Sequence, residues 1–269
     1  MKKTINGLSY HVEMCGEGFS LMALHGYTGA ASTWKPFCPV WGTHASVIIP
    51  DFPGHGQTDS PADEARYEIE KIANDLRTLL DELEIEKTDL LGYSMGGRVA
   101  ITFASLYPQR VRKLVLESTT PGIEDALARE LRRQNDSKLA ARIEAEGVEK
   151  FVDYWESIPL FQSQLNLPDH VREQIRNQRM LNNPQGLANS LRGMGTGRQP
   201  SWWDKLGSFP FETLLITGTL DEKFEKIAEK MASRLPKAKH VSIEGSGHAI
   251  HVEHAEKFGT IVSEFLSNT

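Results

Sequence analysis

The stretch that decides the fold of this protein is Leu90-Leu91-Gly92-Tyr93-Ser94-Met95-Gly96-Gly97-Arg98. It contains a G-x-S-x-G pattern, which by itself is weak evidence because strings of small residues arise by chance. The context strengthens it, since Thr88 to Leu91 ends an apolar, strand-like run and a helix-like run opens at Arg98. Strand, sharp turn and helix form the setting of a nucleophile elbow. The alternative is a glycine-rich turn with an incidental serine.

The glycines of this pattern have a physical role in the predicted turn. Gly92 and Gly96 leave the space that two ordinary side chains would fill. The oxygen of Ser94 then stands clear of the backbone, close to the N-terminus of the following helix. A developing negative charge is favoured at that place, because the first N–H groups of a helix have no partner within it. We therefore interpret Ser94 as the candidate nucleophile or base.

A second turn predicts the donors of an oxyanion hole. His25-Gly26-Tyr27-Thr28-Gly29 follows a short apolar run, Phe19 to Leu24, that is typical of a buried strand. This architecture places one oxyanion donor in such a turn and the other directly after the nucleophile. The predicted donors are the backbone N–H groups of Tyr27 and Met95. We interpret His25 as shaping the turn through a local hydrogen bond, with catalysis as the alternative.

Two more catalytic groups follow in the chain order of an α/β hydrolase. Asp221 comes shortly after a strand-like run that ends at Thr217, and His248 follows a strand and a glycine-rich loop. A serine hydroxyl is unreactive until an imidazole accepts its proton, and an acid holds that imidazole in the right tautomer. Ser94, Asp221 and His248 are therefore predicted to form a catalytic triad.

Each partner of the serine has rivals in the sequence. His251 and His254 compete with His248, but they fall in or at the start of the last predicted helix. His248 instead follows flexible glycines that let it reach Ser94. Glu117 competes with Asp221, because it lies just after the strand that follows the elbow helix. We favour Asp221 and His248.

Composition limits the functions that this chain can have. It has 269 residues and a formal net charge of −6, with a pI near 5.9, which disfavours nucleic acid and anionic membranes as partners. Cys15 and Cys38 are too few for a disulfide scaffold or a cysteine-based zinc site. The N-terminus has no signal-like apolar segment, and no apolar run approaches the roughly 20 residues that span a bilayer. We expect a soluble cytoplasmic protein.

The remaining core segments predict alternating strands and helices. Leu8 to Glu13 and Ser46 to Pro50 are strand-like, and a loop rich in polar groups begins at Asp51. That loop resembles a metal site, but its glycine and proline content indicates a packed turn. Apolar residues from Ile69 to Leu83 recur at helical spacing, which predicts an amphipathic helix of about five turns.

A long helical insertion interrupts this rhythm between Thr119 and Lys205. We predict an α/β core at residues 1–118 and 206–269, with residues 119–205 as a helical cap over the active site. Nine of the fifteen arginines lie in this interval, against three lysines. Arginine is preferred where carboxylates are held by a planar, two-pronged donor, although it also forms ordinary helix-surface pairs.

The whole chain resembles the α/β-hydrolase superfamily and, within it, the 2-succinyl-6-hydroxy-2,4-cyclohexadiene-1-carboxylate synthases of menaquinone biosynthesis. The resemblance rests on four segments, which are His25 to Gly29, Gly92 to Arg98, Thr120-Pro121-Gly122-Ile123 leading into Arg129 to Asp136, and Gly218 to Phe224. Arginine four residues after the nucleophile is the most specific feature, because generic esterases usually carry an apolar residue there.

The resemblance implies an elimination and a set of substrate-binding residues. Family members remove pyruvate from 2-succinyl-5-enolpyruvyl-6-hydroxy-3-cyclohexene-1-carboxylate, with the Ser94–His248 pair as the base and no metal or organic cofactor. Arg98, Arg132 and Arg179 are the implied carboxylate ligands. Tyr93 and Trp155 are implied pocket residues. In the cap, where the alignment is loose, the alternatives to Arg132 and Arg179 are Arg129, Arg133 and Arg176.

Other functions remain open at this stage. The same triad would serve a hydrolase of carboxylic esters or carbon–carbon bonds, and a hydrolase fold can also serve as a non-catalytic binding protein. A thioesterase is disfavoured because no basic nucleotide-binding segment is apparent. We expect a monomer whose partner is a small tricarboxylate substrate, with no nucleic acid and no membrane.

Overall fold

An eight-stranded sheet forms the centre of the molecule in the computed structural model, which describes residues 1–267. In chain order the strands are β1 (Lys2–Ile5), β2 (Leu8–Cys15), β3 (Phe19–Leu24), β4 (Ala45–Pro50), β5 (Thr88–Tyr93), β6 (Val111–Glu117), β7 (Glu212–Gly218) and β8 (Ala238–Ile243). Their spatial order is β1-β2-β4-β3-β5-β6-β7-β8. β3 to β8 run parallel, whereas β1 and β2 are antiparallel additions at one edge.

Helices cover both faces of this sheet, which explains why its central strands are continuous apolar runs. The helices are α1 (Cys38–Trp41), α2 (Ile69–Glu82), α3 (Met95–Leu106), α4 (Ala126–Ser157), α5 (Asp169–Met180), α6 (Pro184–Met194), α7 (Glu222–Ala232), α8 (Ile250–Glu253) and α9 (Ala255–Ser267). α2, α3 and α7 contribute to one apolar cluster, and α1, α8 and α9 contribute to the other. The sheet therefore has a buried core on each side.

Two local predictions differ from the structure. Helix α2 ends at Glu82, with 14 residues or about four turns, rather than five. It stops because Glu84 has a φ of 57°, in the left-handed region that no helix interior uses. Strand β1 was not predicted, since its four residues pair with β2 but bury only Ile5 completely.

The predicted cap interval contains α4, α5 and α6 between strands β6 and β7. α4 bends at Gly147, where φ is 83°. α4 and α6 pack around a separate apolar cluster, against which Tyr27 of the core and Trp155 also pack. The cap thus has a small core of its own, although its treatment as a distinct unit stays a prediction. No helix within residues 1–267 combines the length and apolar character needed to cross a membrane.

Cys15 and Cys38 form a disulfide that joins the end of β2 to the start of α1. Their Cα atoms are 6.0 Å apart. A single bond does not make a disulfide scaffold, as the composition indicated. Disulfides are uncommon in the cytosol, so this pairing gives no support to the expected cytoplasmic location, which stays a prediction.

The polar loop after β4 is organised by one buried carboxylate. Asp51 accepts hydrogen bonds from the backbone N–H groups of Ala31 and Gln57 and lies 2.9 Å from Nδ1 of His11. Within residues 1–267 no group of three or more potential ligands is arranged to hold a metal ion. The contacts of Asp51 are those of a packed turn.

Two buried histidines lie where the loops after β3 and β4 meet. Nε2 of His25 accepts the N–H of Phe52 at 3.0 Å, so Nδ1 carries the proton and donates to the carbonyl of Gly26 at 2.8 Å. The ring centroids of His25 and His55 are 5.2 Å apart. Burial lowers the pKa of His25 to about 4. Burial and the charge of the neighbouring His25 lower the pKa of His55 to about 3.

These lowered pKa values predict that acid destabilises the fold. Between pH 6.5 and 4 the unfolded chain binds protons at these histidines and the folded chain does not, so stability falls as pH falls. We expect each histidine to remove about 2 kcal/mol of unfolding free energy between pH 7 and pH 5. Urea titrations at both pH values measure this loss. His55→Gln should reduce it, whereas replacing the exposed His170 with Gln should not. Identical pH profiles for His55→Gln and wild type would contradict the prediction.

Candidate active site

The turn between β5 and α3 holds Ser94 in an unusual backbone conformation. Its φ is 50° and its ψ is −106°. A Cβ on Gly92 would lie 2.5 Å from the carbonyl oxygen of Gly96, and one on Gly96 would lie 2.2 Å from that of Leu24. Larger residues are thereby excluded at both positions. Both glycines are therefore required, as the sequence pattern predicts, because backbone atoms of neighbouring segments occupy the place that a Cβ would take.

Two consecutive hydrogen bonds connect Ser94, His248 and Asp221. Oγ of Ser94 is 3.0 Å from Nε2 of His248, and Nδ1 of His248 is 2.6 Å from Oδ2 of Asp221. The carboxylate accepts the Nδ1 proton, so the lone pair of Nε2 faces the serine hydroxyl. His248 is 1% exposed and Asp221 8%. The structure brings the three predicted residues together, and the arrangement can accept a proton through the serine.

The segments that carry the acid and the base are each fixed by neighbouring groups. Asp221 precedes α7, and its Oδ1 accepts the N–H of Phe224. Oε2 of Glu253 accepts the N–H of Gly247, directly before His248, at 2.6 Å. The ring of Phe224 also packs against His248, with the centroids 4.7 Å apart. The loops are therefore anchored close to the reacting atoms.

The two predicted oxyanion donors line the cavity beside Ser94. Met95 is the first residue of α3, so its N–H has no acceptor within the helix. Neither this N–H nor that of Tyr27 has a hydrogen-bond acceptor among residues 1–267. Both groups are thus available to a substrate oxygen. The hydroxyl of Tyr27 has another role, because it donates to the carbonyl of Leu187 in the cap.

The cavity around Ser94 is strongly electropositive. Arg98, Arg132 and Lys223 line it, and its lining residues include no carboxylate. Arg98 is buried and donates to the carbonyl of Met194 and to Oε1 of Gln199. Burial, and secondarily the charge of Arg132, lower the pKa of Arg98 to about 9, which leaves it charged at pH 7.

One buried acid lies behind these cations. Oδ1 of Asp136 accepts from Nε of Arg132 at 2.8 Å, while its Oδ2 has no partner among the described residues. Asp136 also raises the pKa of Arg98, against the effect of burial. Three cations stand against two carboxylates, Asp136 and the Asp221 that pairs with His248, so the site keeps a formal surplus of one positive charge. That surplus suits an anionic ligand.

Lys223 is the functional candidate that the sequence analysis missed. It lines the cavity two residues after Asp221 with part of its side chain exposed to solvent, and it forms no ion pair within residues 1–267, although Asp221 acts on its charge. Partial burial and the charge of Arg132 lower its pKa. Its position in the Asp221 segment was the available signal.

Arg179 is not among the residues that line the Ser94 cavity. It lines a neighbouring groove of about 920 Å³, where Nη1 donates to Glu156 and Nη2 to Gln164. The alternatives Arg129, Arg133 and Arg176 line neither space. A substrate role for Arg179 therefore requires a ligand that reaches beyond the Ser94 cavity.

The two predicted aromatic residues do line the Ser94 cavity. Tyr93 lies between this cavity and the groove, and burial raises the pKa of its hydroxyl well above the usual value. Trp155 projects from α4, and its indole N–H has no acceptor among the described residues. Both side chains can contact a ligand next to Ser94.

The rival candidates for base and acid do not contact Ser94 through their side chains. His251 and Glu117 instead pair with each other, with Nδ1 of His251 at 2.9 Å from Oε1 of Glu117. His254 lies between α8 and α9 and is not part of the cavity lining. The structure therefore offers only one imidazole to the serine among the residues it describes.

Comparisons with known proteins agree with this architecture. Residues 20–255 match the family described as the alpha/beta hydrolase fold. The prediction of that fold class is therefore confirmed. The sequence is 44% identical over 265 residues to a Bacillus subtilis protein provisionally named 2-succinyl-6-hydroxy-2,4-cyclohexadiene-1-carboxylate synthase, covering 98% of this chain and 96% of that protein.

Two solved structures are close to this one. The structure of MenH from S. aureus has a TM-score of 0.91 and 38% sequence identity, covering 96% of this chain and 97% of the other. A malate-bound thermophilic esterase from Thermogutta terrifontis has a TM-score of 0.85 and 28% identity, covering 99% and 97%. The same fold thus carries both a synthase and an esterase.

The triad geometry predicts that Ser94 reacts with a fluorophosphonate, a probe that needs only an activated serine. Ser94→Ala should abolish labelling, and Asp221→Asn should slow it about 10³- to 10⁴-fold because the imidazole then takes the wrong tautomer. Labelling rates measured by intact-protein mass give both results. Ser190→Ala is the matched control, since this hydroxyl lines the same cavity. Unchanged labelling of Asp221→Asn, with loss in Glu117→Gln, would assign the acid to Glu117.

Proposed function

The chain belongs to the α/β-hydrolase superfamily and, within it, to the family of 2-succinyl-6-hydroxy-2,4-cyclohexadiene-1-carboxylate synthases, and we propose that it is a lyase of menaquinone biosynthesis. Its reaction is the elimination of pyruvate from 2-succinyl-5-enolpyruvyl-6-hydroxy-3-cyclohexene-1-carboxylate. The observation that carries this proposal is the group of three cations, without a lining carboxylate, around the Ser94–His248 pair.

The charge of the cavity fits a substrate with several carboxylates. Arginine binds a carboxylate through two parallel N–H groups, and lysine adds a point charge. Arg98 and Arg132 offer two guanidinium groups and Lys223 offers an ammonium group in the lining of the Ser94 cavity. An ester without carboxylates would leave these charges unmatched. The site therefore favours the tricarboxylate over neutral esters.

The elimination uses the triad as a base. Ser94 takes a ring proton while its own proton passes to Nε2 of His248, and Asp221 stabilises the imidazolium that forms. The electrons of the broken C–H bond form a new double bond, the ring double bond shifts, and the bond to the enolpyruvyl oxygen breaks. The released enolpyruvate takes up a proton and becomes pyruvate. No atom of water enters the ring product.

Positioning makes this weak base effective. Carboxylates held by fixed cations place a ring carbon, rather than an ester carbonyl, within reach of Ser94. The N–H groups of Tyr27 and Met95, which have no acceptor among residues 1–267, would stabilise negative charge that develops on the substrate during proton removal. These contacts are stronger in the transition state than in the bound substrate, as catalysis requires.

Substrate entry requires more room than the cavity provides. Its volume is about 130 Å³, whereas small-molecule sites usually have roughly 300–1,000 Å³. Two features could provide this space. The cap packs around its own apolar cluster, and Tyr93 lies between the cavity and the groove that contains Arg179. We propose that the cap opens for entry, and that Arg179 contacts substrate only if the ligand extends past Tyr93.

A hydrolase is the second candidate. The malate-bound esterase with the same fold shows that this scaffold also supports ester hydrolysis, and the Ser94 geometry would suit it. A non-catalytic binding protein is disfavoured by the complete triad arrangement. The cytoplasmic location, the monomeric state and the absence of nucleic-acid and membrane partners remain predictions.

The product of the cyclohexene substrate distinguishes elimination from hydrolysis. We expect pyruvate release together with a cyclohexadiene that has lost the leaving oxygen, measured as the mass of the ring product after complete reaction. Hydrolysis of the enol ether also releases pyruvate but leaves a ring alcohol heavier by one water. Detection of that alcohol, or rapid turnover of simple esters beside inertness toward the cyclohexene, would exclude the synthase function.

The cations around Ser94 predict a second set of effects. Hydrogen bonds to charged groups contribute roughly 1.5–3 kcal/mol, so Arg98→Ala should lower kcat/KM about ten- to a hundredfold. Arg98→Lys should restore only part of this, because lysine lacks the two-pronged geometry. Lys223→Gln should lower kcat/KM by a smaller factor, about three- to tenfold, because its charge is exposed to solvent.

Lys226→Gln is the matched control for Lys223. Lys226 lies on the same helix, is exposed and pairs with Glu222. Its replacement should leave kcat/KM on the cyclohexene substrate unchanged. Wild-type kinetics in Arg98→Ala would show that Arg98 is structural and would remove the main distinction from generic esterases.

A further inference from the structure

A fully buried carboxylate lies directly behind the catalytic residues. Glu117 ends strand β6 and is 0% exposed. Its Oε1 accepts the backbone N–H of His251 at 3.0 Å, and its two oxygens lie 2.9 and 3.0 Å from Nδ1 of the same residue. No other side-chain partner of Glu117 is found in the part of the chain that the structure describes. A charge buried this deeply depends on such a partner, and His251 supplies both donors.

The backbone of Glu117 contacts the nucleophile elbow. Its carbonyl oxygen accepts the N–H of Ser94 at 2.9 Å, and Glu117 is the register partner of Tyr93 in the sheet. One residue therefore bonds to the elbow with its main chain and to the segment of His251 with its side chain. Glu117 thus links the two segments through hydrogen bonds, in addition to the Ser94–His248 hydrogen bond and the ring contact between Tyr93 and His251.

His251 belongs to the segment that carries the catalytic base. It lies in α8, three residues after His248. The other side of His248 is anchored too, because Glu253 accepts the N–H of Gly247. The base is therefore held between two carboxylate anchors, Glu253 on the side of Gly247 and Glu117 on the side of His251.

The imidazole of His251 also supports the wall of the cavity. Its ring packs edge-on against Tyr93 with centroids 4.5 Å apart, and the ring of Tyr93 lies 5.4 Å from that of His248. Trp34 also packs against the imidazole of His251, with the ring centroids 4.9 Å apart. Tyr93 is thus enclosed by the two imidazoles, of which His251 is fixed by Glu117.

We propose that Glu117 and His251 form a positioning pair that sets the distance between Ser94 and His248. Neither residue touches the reacting atoms. The pair ties α8 to the elbow, so that Nε2 of His248 stays within hydrogen-bonding reach of the serine. Displacing a reacting group by about 1 Å can cost roughly a hundredfold in rate. The proposal concerns the serine–imidazole geometry and is the same for elimination and hydrolysis.

The test measures the rate at which a fluorophosphonate labels Ser94. In this reaction Oγ attacks phosphorus, fluoride leaves, and His248 takes the serine proton. Glu117→Met keeps the volume of the side chain but removes its acceptors, and we expect labelling to slow about ten- to a hundredfold. Glu117→Gln keeps an amide oxygen that accepts the N–H of His251, and we expect a rate within about threefold of wild type.

The control separates positioning from general stability. Asp75 is another buried carboxylate, which accepts from Asn6, Tyr10 and Arg66 away from the active site. Asp75→Leu should lower Tm without changing the labelling rate at temperatures well below Tm. If Glu117→Met lowers Tm but labels at the wild-type rate, Glu117 is only structural and the proposal is wrong.

A second variant keeps the proposal testable if Glu117→Met does not fold. His251→Phe keeps the ring contacts with Tyr93 but loses the Nδ1 bond, and we expect slower labelling that Glu117→Gln does not show. If His251→Phe is labelled at the wild-type rate, the proposed positioning pair is wrong. The proposal is also wrong if the unmodified protein does not react with the probe. Wild-type labelling without conversion of the cyclohexene would instead contradict the proposed lyase while leaving the pair in place.

Discussion

The strained turn at Ser94 is the constraint on which the rest of the site depends. A non-glycine residue at a φ of 50° and a ψ of −106° costs on the order of 1–3 kcal/mol. Its main-chain N–H is held by Glu117, and its carbonyl accepts from the hydroxyl of Thr119 at 2.7 Å. Glycines on both sides let the backbone of α3 approach β3 and β5 closely. With the turn in this conformation, the serine oxygen lies 3.0 Å from the imidazole, and the N–H of Met95 has no acceptor in the part of the chain that the structure describes.

This turn is useful only because three distant segments meet beside it. Asp221 and His248 follow neighbouring parallel strands, β7 and β8, whose carboxyl ends lie at the same edge of the sheet as the elbow. Parallel sheets collect such residues at one edge, whatever their separation in sequence. The half-buried Glu253 then fixes the loop that carries His248, and the bond from Phe224 fixes Asp221. The catalytic geometry is thus a property of the sheet edge and of its anchoring carboxylates together.

The helical segment between β6 and β7 contributes positive charge beside the triad arrangement. The triad arrangement by itself suits an esterase as well as a lyase, and the fold is shared by both. Arg98 from the core and Arg132 from the cap both line the cavity of Ser94, and Asp136 bonds to Arg132 while its Oδ2 has no partner within residues 1–267. Charge that is fixed in a small, partly closed cavity acts more strongly than the same charge in water. Selection of an anionic substrate would therefore come from the contact between cap and core.

Local patterns in the sequence indicated every sheet strand except β1, and they indicated the elbow, the helical insertion and the three members of the triad arrangement. They did so because glycine spacing, apolar period and strand-to-loop order depend on residues close together in the chain. Tertiary structure alone decided which arginines face Ser94, since helix α4 bends at Gly147 and its docking brings Arg132 to the cavity while Arg179 lies in the groove. It also paired Glu117 with His251, 134 positions apart, and turned two rivals of the triad into one support. Such contacts have no local signature, because they arise only when separate strands and helices pack against each other.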